Sequence, residues 1–310
     1  MDRKIKIVVL CGGKFAFKAL QALAIEKFLC GIGIGKGEKS IVNALENQCE
    51  ENGIAFQSFP NKTAINKMRS WLEEINPDYI FSISFPFLIP EEVLSFGLTK
   101  FINFHPGPLP QYRGAMPIFE VLRNQEKETA VSVHYMNSKF DEGELLFKDS
   151  VSIETNDTYG KLAMRLSNHT AQVALNLANM LQFASKIPSN KQDENEAYYY
   201  EKPELNDTMI NWKRMSADEI IALINACNPW HVGADTFFDG EQIKIVNASK
   251  LDEIHNDERV GSVLSTDENA IIVACSDNEK IKIELLSSDY GIMNAFQFMS
   301  FKKVVNKKFG

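Results

Sequence analysis

Asn103 and His105 stand two residues apart, directly ahead of Pro106, Pro108 and Pro110. On a strand, that spacing points an amide and an imidazole to the same face. The prolines end such a strand by removing backbone donors and fixing φ, so the pair sits at a strand end that a ligand can reach. Downstream, Phe140-Asp141-Glu142-Gly143 offers a carboxylate able to meet the imidazole. Amide, imidazole and carboxylate together point to polar catalysis at a carbonyl. When an amine attacks an acyl or formyl carbon a tetrahedral oxyanion forms, and the site must supply donors to that oxygen and a route for the amine proton. Asn103 can donate to the oxyanion with His105 beside it, while Asp141 can orient His105, stabilise its charge and relay a proton. The set holds no nucleophile, which favours direct transfer over a covalent intermediate.

The elements that must position these residues alternate. Apolar strands read at 5–10, 29–34, 79–84 and 100–104, and helices at 15–28, 41–52, 62–75 and a short one opened by Pro90-Glu91-Glu92. Alternating strands and helices predict an α/β fold: a doubly wound, mostly parallel sheet with helices on both faces. Ligands bind such sheets beyond the carboxyl ends of the strands, where Asn103 and His105 lie and where Ser84 to Ile89 also fall. Residues 130–136 alternate, with Val131, Val133 and Tyr135 on one face and Ser132, His134 and Met136 on the other; His134 reads as a packed or surface histidine. A long amphipathic helix over 158–184 follows, capped by Thr155, Asn156 or Asp157. From Lys186 to Pro203 the chain turns polar and carries three consecutive tyrosines, which reads as a linker. Beyond it, Ser216-Ala217-Asp218-Glu219 opens a helix with a capping-box pattern, and short evenly spaced strands with an Asp239-Gly240 turn predict a small OB-like barrel. The expected organisation is a catalytic domain over 1–188, a linker over 189–204 and an OB-like domain over 205–310.

The 310 residues are 45% hydrophobic with a formal net charge of −8, which argues against a general nucleic-acid coat and leaves room for a local basic patch. Lys302, Lys303, Lys307 and Lys308 form such a patch and read as a solvated, frayed end. No apolar run approaches a membrane span, and the first strand lacks a signal-peptide cleavage pattern. Five scattered cysteines without a C-x-x-C pair point to neither a disulfide framework nor a metal site, and fit a reducing cytoplasm.

The string Asn103-x-His105-x-x-x-Leu109-Pro110-x-Tyr112-Arg113-Gly114, with Pro117 and the later Asp141-Glu142-Gly143, resembles the formyltransferases that use 10-formyltetrahydrofolate. The resemblance implies Asn103, His105 and Asp141 as the catalytic set and 10-formyltetrahydrofolate as donor co-substrate, with no metal. By the same likeness Phe87, Leu88 and Ile89, and the loop of Lys139, Phe140, Glu142 and Gly143, would line the folate pocket; residues 87–89 also read as core packing. Where the family commonly has Asp-x-Gly-x-Asp-Thr-Gly-Asp, this chain has Glu142 for the threonine and Glu144 for the last acid.

Ile210-Asn211-Trp212, Asn228-Pro229-Trp230-His231-Val232-Gly233 and Arg113-Gly114-Ala115-Met116-Pro117-Ile118 resemble motifs of methionyl-tRNA formyltransferases. The resemblance implies a primary amine as acceptor, with methionyl-tRNA, the initiator tRNA, leading. Gly12, Gly13, Tyr112, Arg113 and Gly114 are the candidate acceptor-binding residues; Cys11-Gly12-Gly13 either sets backbone donors near an acceptor phosphate or forms a plain tight turn. Against a tRNA stands the loop Gly33–Ser40, which offers only Lys36 and Lys39 to phosphates. The alternatives are a nucleotide-linked amino sugar as acceptor, or a folate or nucleic-acid binding module without catalysis.

Overall fold

The computed structural model describes residues 3–184, 187–254, 259–304 and 307–310; Lys186, where the change in composition begins, lies outside them. In chain order the elements are β1 (Ile7–Cys11), α1 (Phe17–Ile25), β2 (Leu29–Ile34), α2 (Lys39–Asn52), β3 (Ala55–Ser58), α3 (Met68–Ile75), β4 (Tyr79–Ile83), α4 (Glu91–Leu94), β5 (Lys100–His105), β6 (Arg113–Gly114), α5 (Pro117–Arg123), β7 (Glu128–Tyr135), β8 (Leu145–Ser152), α6 (Tyr159–Phe183) and β9 (Tyr199–Tyr200). There follow α7 (Leu205–Thr208), α8 (Ala217–Ala226), β10 (Ala234–Phe238), β11 (Glu241–Leu251), β12 (Val263–Thr266), β13 (Ile271–Ala274), β14 (Lys280–Ser288), β15 (Gly291–Asn294) and α9 (Ala295–Phe301). The chain forms two compact units, and neither is contiguous. The first holds 1–114, 128–152 and 163–200, the second 115–127, 153–162 and 201–310. The expected linker falls in the first unit as far as Tyr200, and the segments 115–127 and 153–162 fall in the second.

The first unit is a seven-stranded sheet in the order β3-β2-β1-β4-β5-β7-β8. Its first five strands are parallel; β7 runs antiparallel to β5, and β8 antiparallel to β7. The strands β1 and β4 are buried over almost their whole length, as their unbroken apolar runs require of a sheet covered on both faces. Val8, Leu10, Ile80 and Phe101 pack on Phe59, Met68, Trp71 and Leu72 in one core. Strand β3 escapes the sequence reading because it is a four-residue edge strand, half-buried throughout. Helix α2 ends at Gly53 in the left-handed region, as expected of a glycine C-cap. Thr158, rather than residues 155–157, caps α6, its hydroxyl accepting from the Lys161 amide at 3.3 Å.

In the second unit β10-β11-β14-β13-β12 form an antiparallel sheet, with β15 beside β14. Residues 307–310 join its two outer strands. Phe237 and Gly310 exchange backbone bonds at 3.0 Å, and Val263 donates to the Lys307 carbonyl at 3.0 Å. That closes the sheet into the OB-like barrel. The basic end is thus pinned instead of frayed: Lys302 pairs with Glu241, Lys307 with Asp239, and Phe309 is buried against Trp212 and Phe238. No helix among the described residues is long and apolar enough to cross a membrane.

Candidate active site

In the first unit the order of strands reverses between β1 and β4, so the loops that follow β1, β4 and β5 lie side by side at the carboxyl end of the sheet, where such sheets bind ligands. The turn after β1 lies tight against the turn after β4: a Cβ on Gly12 would stand 2.0 Å from the Ser84 carbonyl oxygen. Gly12 therefore has a packing reason to be glycine, whereas a Cβ on Gly13 would meet nothing within 4 Å.

Across the sheet Asn103 is the register partner of His134, and His105 of Ser132. Side chains of directly opposed residues share a face, so four polar groups gather at one place. The Ser132 hydroxyl donates to the Gly107 carbonyl at 2.7 Å and accepts from the Leu109 amide at 3.0 Å, which holds the proline-rich loop down. His134 is 2% exposed. Its Nδ1 donates to the Tyr135 carbonyl at 2.8 Å, leaving Nε2 to accept from the Asn103 amide at 3.1 Å. Sequence reading passed over His134, although Ser132 and His134 repeat with the same two-residue period as Asn103 and His105; that shared period was the available signal.

Asp141 completes the cluster from the loop after β7. It is 8% exposed. Its Oδ1 lies 3.4 Å from His105 Nδ1, 3.4 Å from Asn103 Nδ2 and 3.6 Å from His134 Nε2, and its Oδ2 accepts from the Gly114 amide at 3.0 Å. His105 Nε2 donates to the Tyr112 carbonyl at 2.6 Å, so with Asp141 at Nδ1 both ring nitrogens have acceptors, the pattern of an imidazolium. Burial opposes charge on His105, but the Asp141 carboxylate, its hydrogen bond and the Tyr112 carbonyl outweigh it and raise the pKa. Burial likewise works against the Asp141 anion; the charge and hydrogen bond of His105, with His134 adjoining, outweigh it and hold the carboxyl far below the usual carboxylate range. The result is a buried ion pair beside a donor amide.

In the loop after β7, Asp141 has φ 58°, a left-handed conformation that aspartate adopts more readily than most residues with a side chain. Gly143 follows where a Cβ would lie 1.6 Å from the Tyr135 carbonyl oxygen, so only glycine lets the chain pass β7. Lys139 and Glu142 pair across this loop at 3.0 Å, and Phe140 is 44% exposed.

The remaining candidate residues are placed as follows. Arg113 is 4% exposed, and its guanidinium is held by Gln192 and by both carboxylate oxygens of Glu194. The Tyr112 ring is buried and stacks on Tyr200 at 5.3 Å. Gly114 offers its amide to Asp141, and a Cβ there would lie 1.9 Å from the Tyr200 carbonyl oxygen. The Ile89 side chain is 1% exposed within the core, so it lines no open pocket; Phe87 is half-buried, and Leu88 is exposed. Among the described residues no group of three or more His, Cys, Asp or Glu could hold a metal ion.

A doubly wound domain with a buried Asn–His–Asp cluster at its carboxyl edge defines a class. The family described as "Formyl transferase" matches residues 33–177, and "Formyl transferase, C-terminal domain" matches residues 204–302. The chain belongs to the formyltransferase family and is a formyltransferase. Within that family its relatives include methionyl-tRNA formyltransferases. That of Geobacter metallireducens is 30% identical over 252 residues, covering 81% of this chain and 78% of its own. That of Acetivibrio thermocellus is 28% identical over 282 residues, covering 87% and 88%. Among solved structures, the N-formyltransferase of Helicobacter canadensis, in complex with folinic acid and dTDP-3-aminofucose, shares the fold with a TM-score of 0.69 at 16% identity, over 90% of this chain and 99% of that one. HypX from Aquifex aeolicus, in complex with tetrahydrofolic acid, does so with a TM-score of 0.65 at 16% identity, over 98% of this chain and 48% of its own.

Proposed function

We propose that the protein transfers the formyl group of 10-formyltetrahydrofolate to the amino group of methionyl-tRNA, working in the cytoplasm. The observation that carries the chemistry is the buried Asp141–His105 pair with the Asn103 amide against it. The acceptor amine attacks the formyl carbon and a C–N bond forms as the carbonyl pair moves onto oxygen. Asn103 donates to that oxyanion, exchanging its long 3.4 Å contact with Asp141 for a charge-assisted bond. Both His105 nitrogens have protein partners, so its contribution is the positive charge it holds beside the oxyanion. The Asp141 carboxylate takes the amine proton, directly or through water. Collapse of the intermediate breaks the bond to N10, which leaves with a proton, giving a formamide and tetrahydrofolate. Phe87, Leu88 and the Lys139–Gly143 loop are the proposed folate contacts.

The acceptor rests on the methionyl-tRNA formyltransferases that match most of the chain. One observation favours a nucleotide-linked amino sugar instead: between β2 and α2 stand only Gly35, Lys36, Gly37 and Glu38, a loop with little to offer tRNA phosphates. A competition between charged initiator tRNA and nucleotide-linked amino sugars decides. Formylation of the tRNA is expected; formylation of the sugar alone overturns the acceptor. His105→Ala that leaves tetrahydrofolate release unchanged overturns the catalytic assignment.

A further inference from the structure

The segment 190–200 has the composition of a linker, yet it grips the loop that carries Asp141. The Gln192 side-chain amide spends both N–H groups on that loop, donating to the Asp141 carbonyl at 2.7 Å and the Gly143 carbonyl at 2.8 Å. Its Oε1 accepts from Arg113 Nε at 3.1 Å and Nη2 at 2.9 Å. The amide can point only one way, since two carbonyls require donors and a guanidinium requires an acceptor. Arg113 is anchored on its other edge by the Glu194 carboxylate at 2.8 and 3.0 Å. The next residue, Gly114, donates its amide to Asp141 Oδ2. Asp141 is thus held twice, at its main chain by Gln192 and at its carboxylate by Gly114, and both holds lead back to Arg113. Paired backbone bonds between Leu145 and Asn190, at 2.8 and 2.9 Å, keep the segment in register.

We infer that Gln192 is a positioning residue for formyl transfer, clamping the left-handed Asp141–Gly143 turn so that the Asp141 carboxylate meets His105. The arrangement explains what the first unit gains from residues beyond its last helix: they close the back of the catalytic loop. The titratable groups facing Asp141 are His105 and His134, with Arg113 and Glu142 farther out, so a loosened loop reports through His105. The inference rests on the formyl-transfer reading for its kinetic consequences, but its structural content can be tested without turnover.

Gln192→Glu is the sharpest variant. It keeps the shape and an acceptor for Arg113 while setting oxygen against two carbonyl oxygens. Gln192→Met, of similar length, removes both functions and guards against misfolding of the first. In the substrate-free protein the His105 imidazole is followed by NMR across pH, and steady-state formylation is measured alongside. The His105 midpoint is expected to fall by about one pH unit. The kcat is expected to fall about 10- to 100-fold, within the range of acid–base contributions, with both KM values changing less than about threefold. A midpoint unmoved in both variants overturns the inference, as does a loss lying wholly in KM. If the parent protein formylates no acceptor, the proposed function fails while the titration still decides the role of Gln192.

Discussion

Replacing Asp141 with Asn removes one charge and little else. The amide can still accept from Gly114 and can donate to His105 Nδ1, so packing is retained. The carboxylate oxygen sits 3.4 Å from the imidazole with both side chains over nine-tenths buried. At the effective dielectric that describes such sites, opposite charges at that distance attract by about 5 kcal/mol. That attraction favours the imidazolium and raises the His105 pKa. Burial pushes the other way, so without the carboxylate the ring loses its charge at neutral pH and accepts from the new amide. The His105 midpoint should move from above the ordinary value for histidine to below it. A site deprived of both its proton acceptor and a cation beside the oxyanion should lose about 10²- to 10⁴-fold in kcat. Single-turnover formylation and an NMR titration of the imidazole read the two effects. A midpoint that stays put, or a rate within about tenfold of the parent, refutes the ion-pair account. The same pair dictates a pH dependence of stability. The depressed Asp141 contributes above its unfolded pKa and the raised His105 below its own. The unfolding free-energy difference between parent and variant should therefore be fullest at about pH 4–6.5 and shrink as pH rises through the His105 midpoint, which denaturant melts across pH can follow.

Three further outcomes are expected. His134→Ala removes the shorter of the two bonds made by the Asn103 amide and should lower kcat by about tenfold, on the order of one buried hydrogen bond, with folate KM little changed in steady-state kinetics. Gly114→Ala combines φ 117° with a Cβ 1.9 Å from the Tyr200 carbonyl oxygen; it should destabilise the first unit by about 2 kcal/mol or more in denaturant melts, through separation of β6 from β9. Phe309→Ala should cost about 3–5 kcal/mol and raise hydrogen exchange at Phe237 and Val263, since the strand that closes the barrel loses its anchor; unchanged exchange there would contradict the closure.

Much of the site was legible because strand chemistry is local. The two-residue spacing of Asn103 and His105, ended by prolines, fixed their common face and their place at a strand end. Asp141 could be named as a candidate from its neighbours, but its approach depends on a left-handed backbone and on Gly143 slipping past Tyr135, neither of which leaves a periodic trace. The surroundings of Arg113 have no local trace either: its partners, Gln192 and Glu194, come back from 79 and 81 residues away in sequence. Those partners were hidden by composition, since a polar, Asn- and Glu-rich stretch reads as a linker whether or not each amide is spent. Helix and strand limits were recovered within a few residues where apolar runs were long, and lost at β3, whose four residues are half-buried and carry no clear alternation. The discontinuous units lay beyond sequence reading because nothing local marks α5 as belonging with residues after 201.

That last feature bears on how the chain is made. Helix α5 presents Ile118, Phe119, Val121 and Leu122 as buried residues, and it packs against α8 within the second unit. During synthesis from the N-terminus, α5 leaves the ribosome long before α8 exists, with the strands β7 and β8 of the other unit made in between. At about 5–20 residues per second, its apolar face waits several seconds for a partner. Over that interval α5 exposes the kind of apolar surface that makes unfinished chains prone to aggregate, so slower translation through residues 124–217 is expected to lower the yield of native protein.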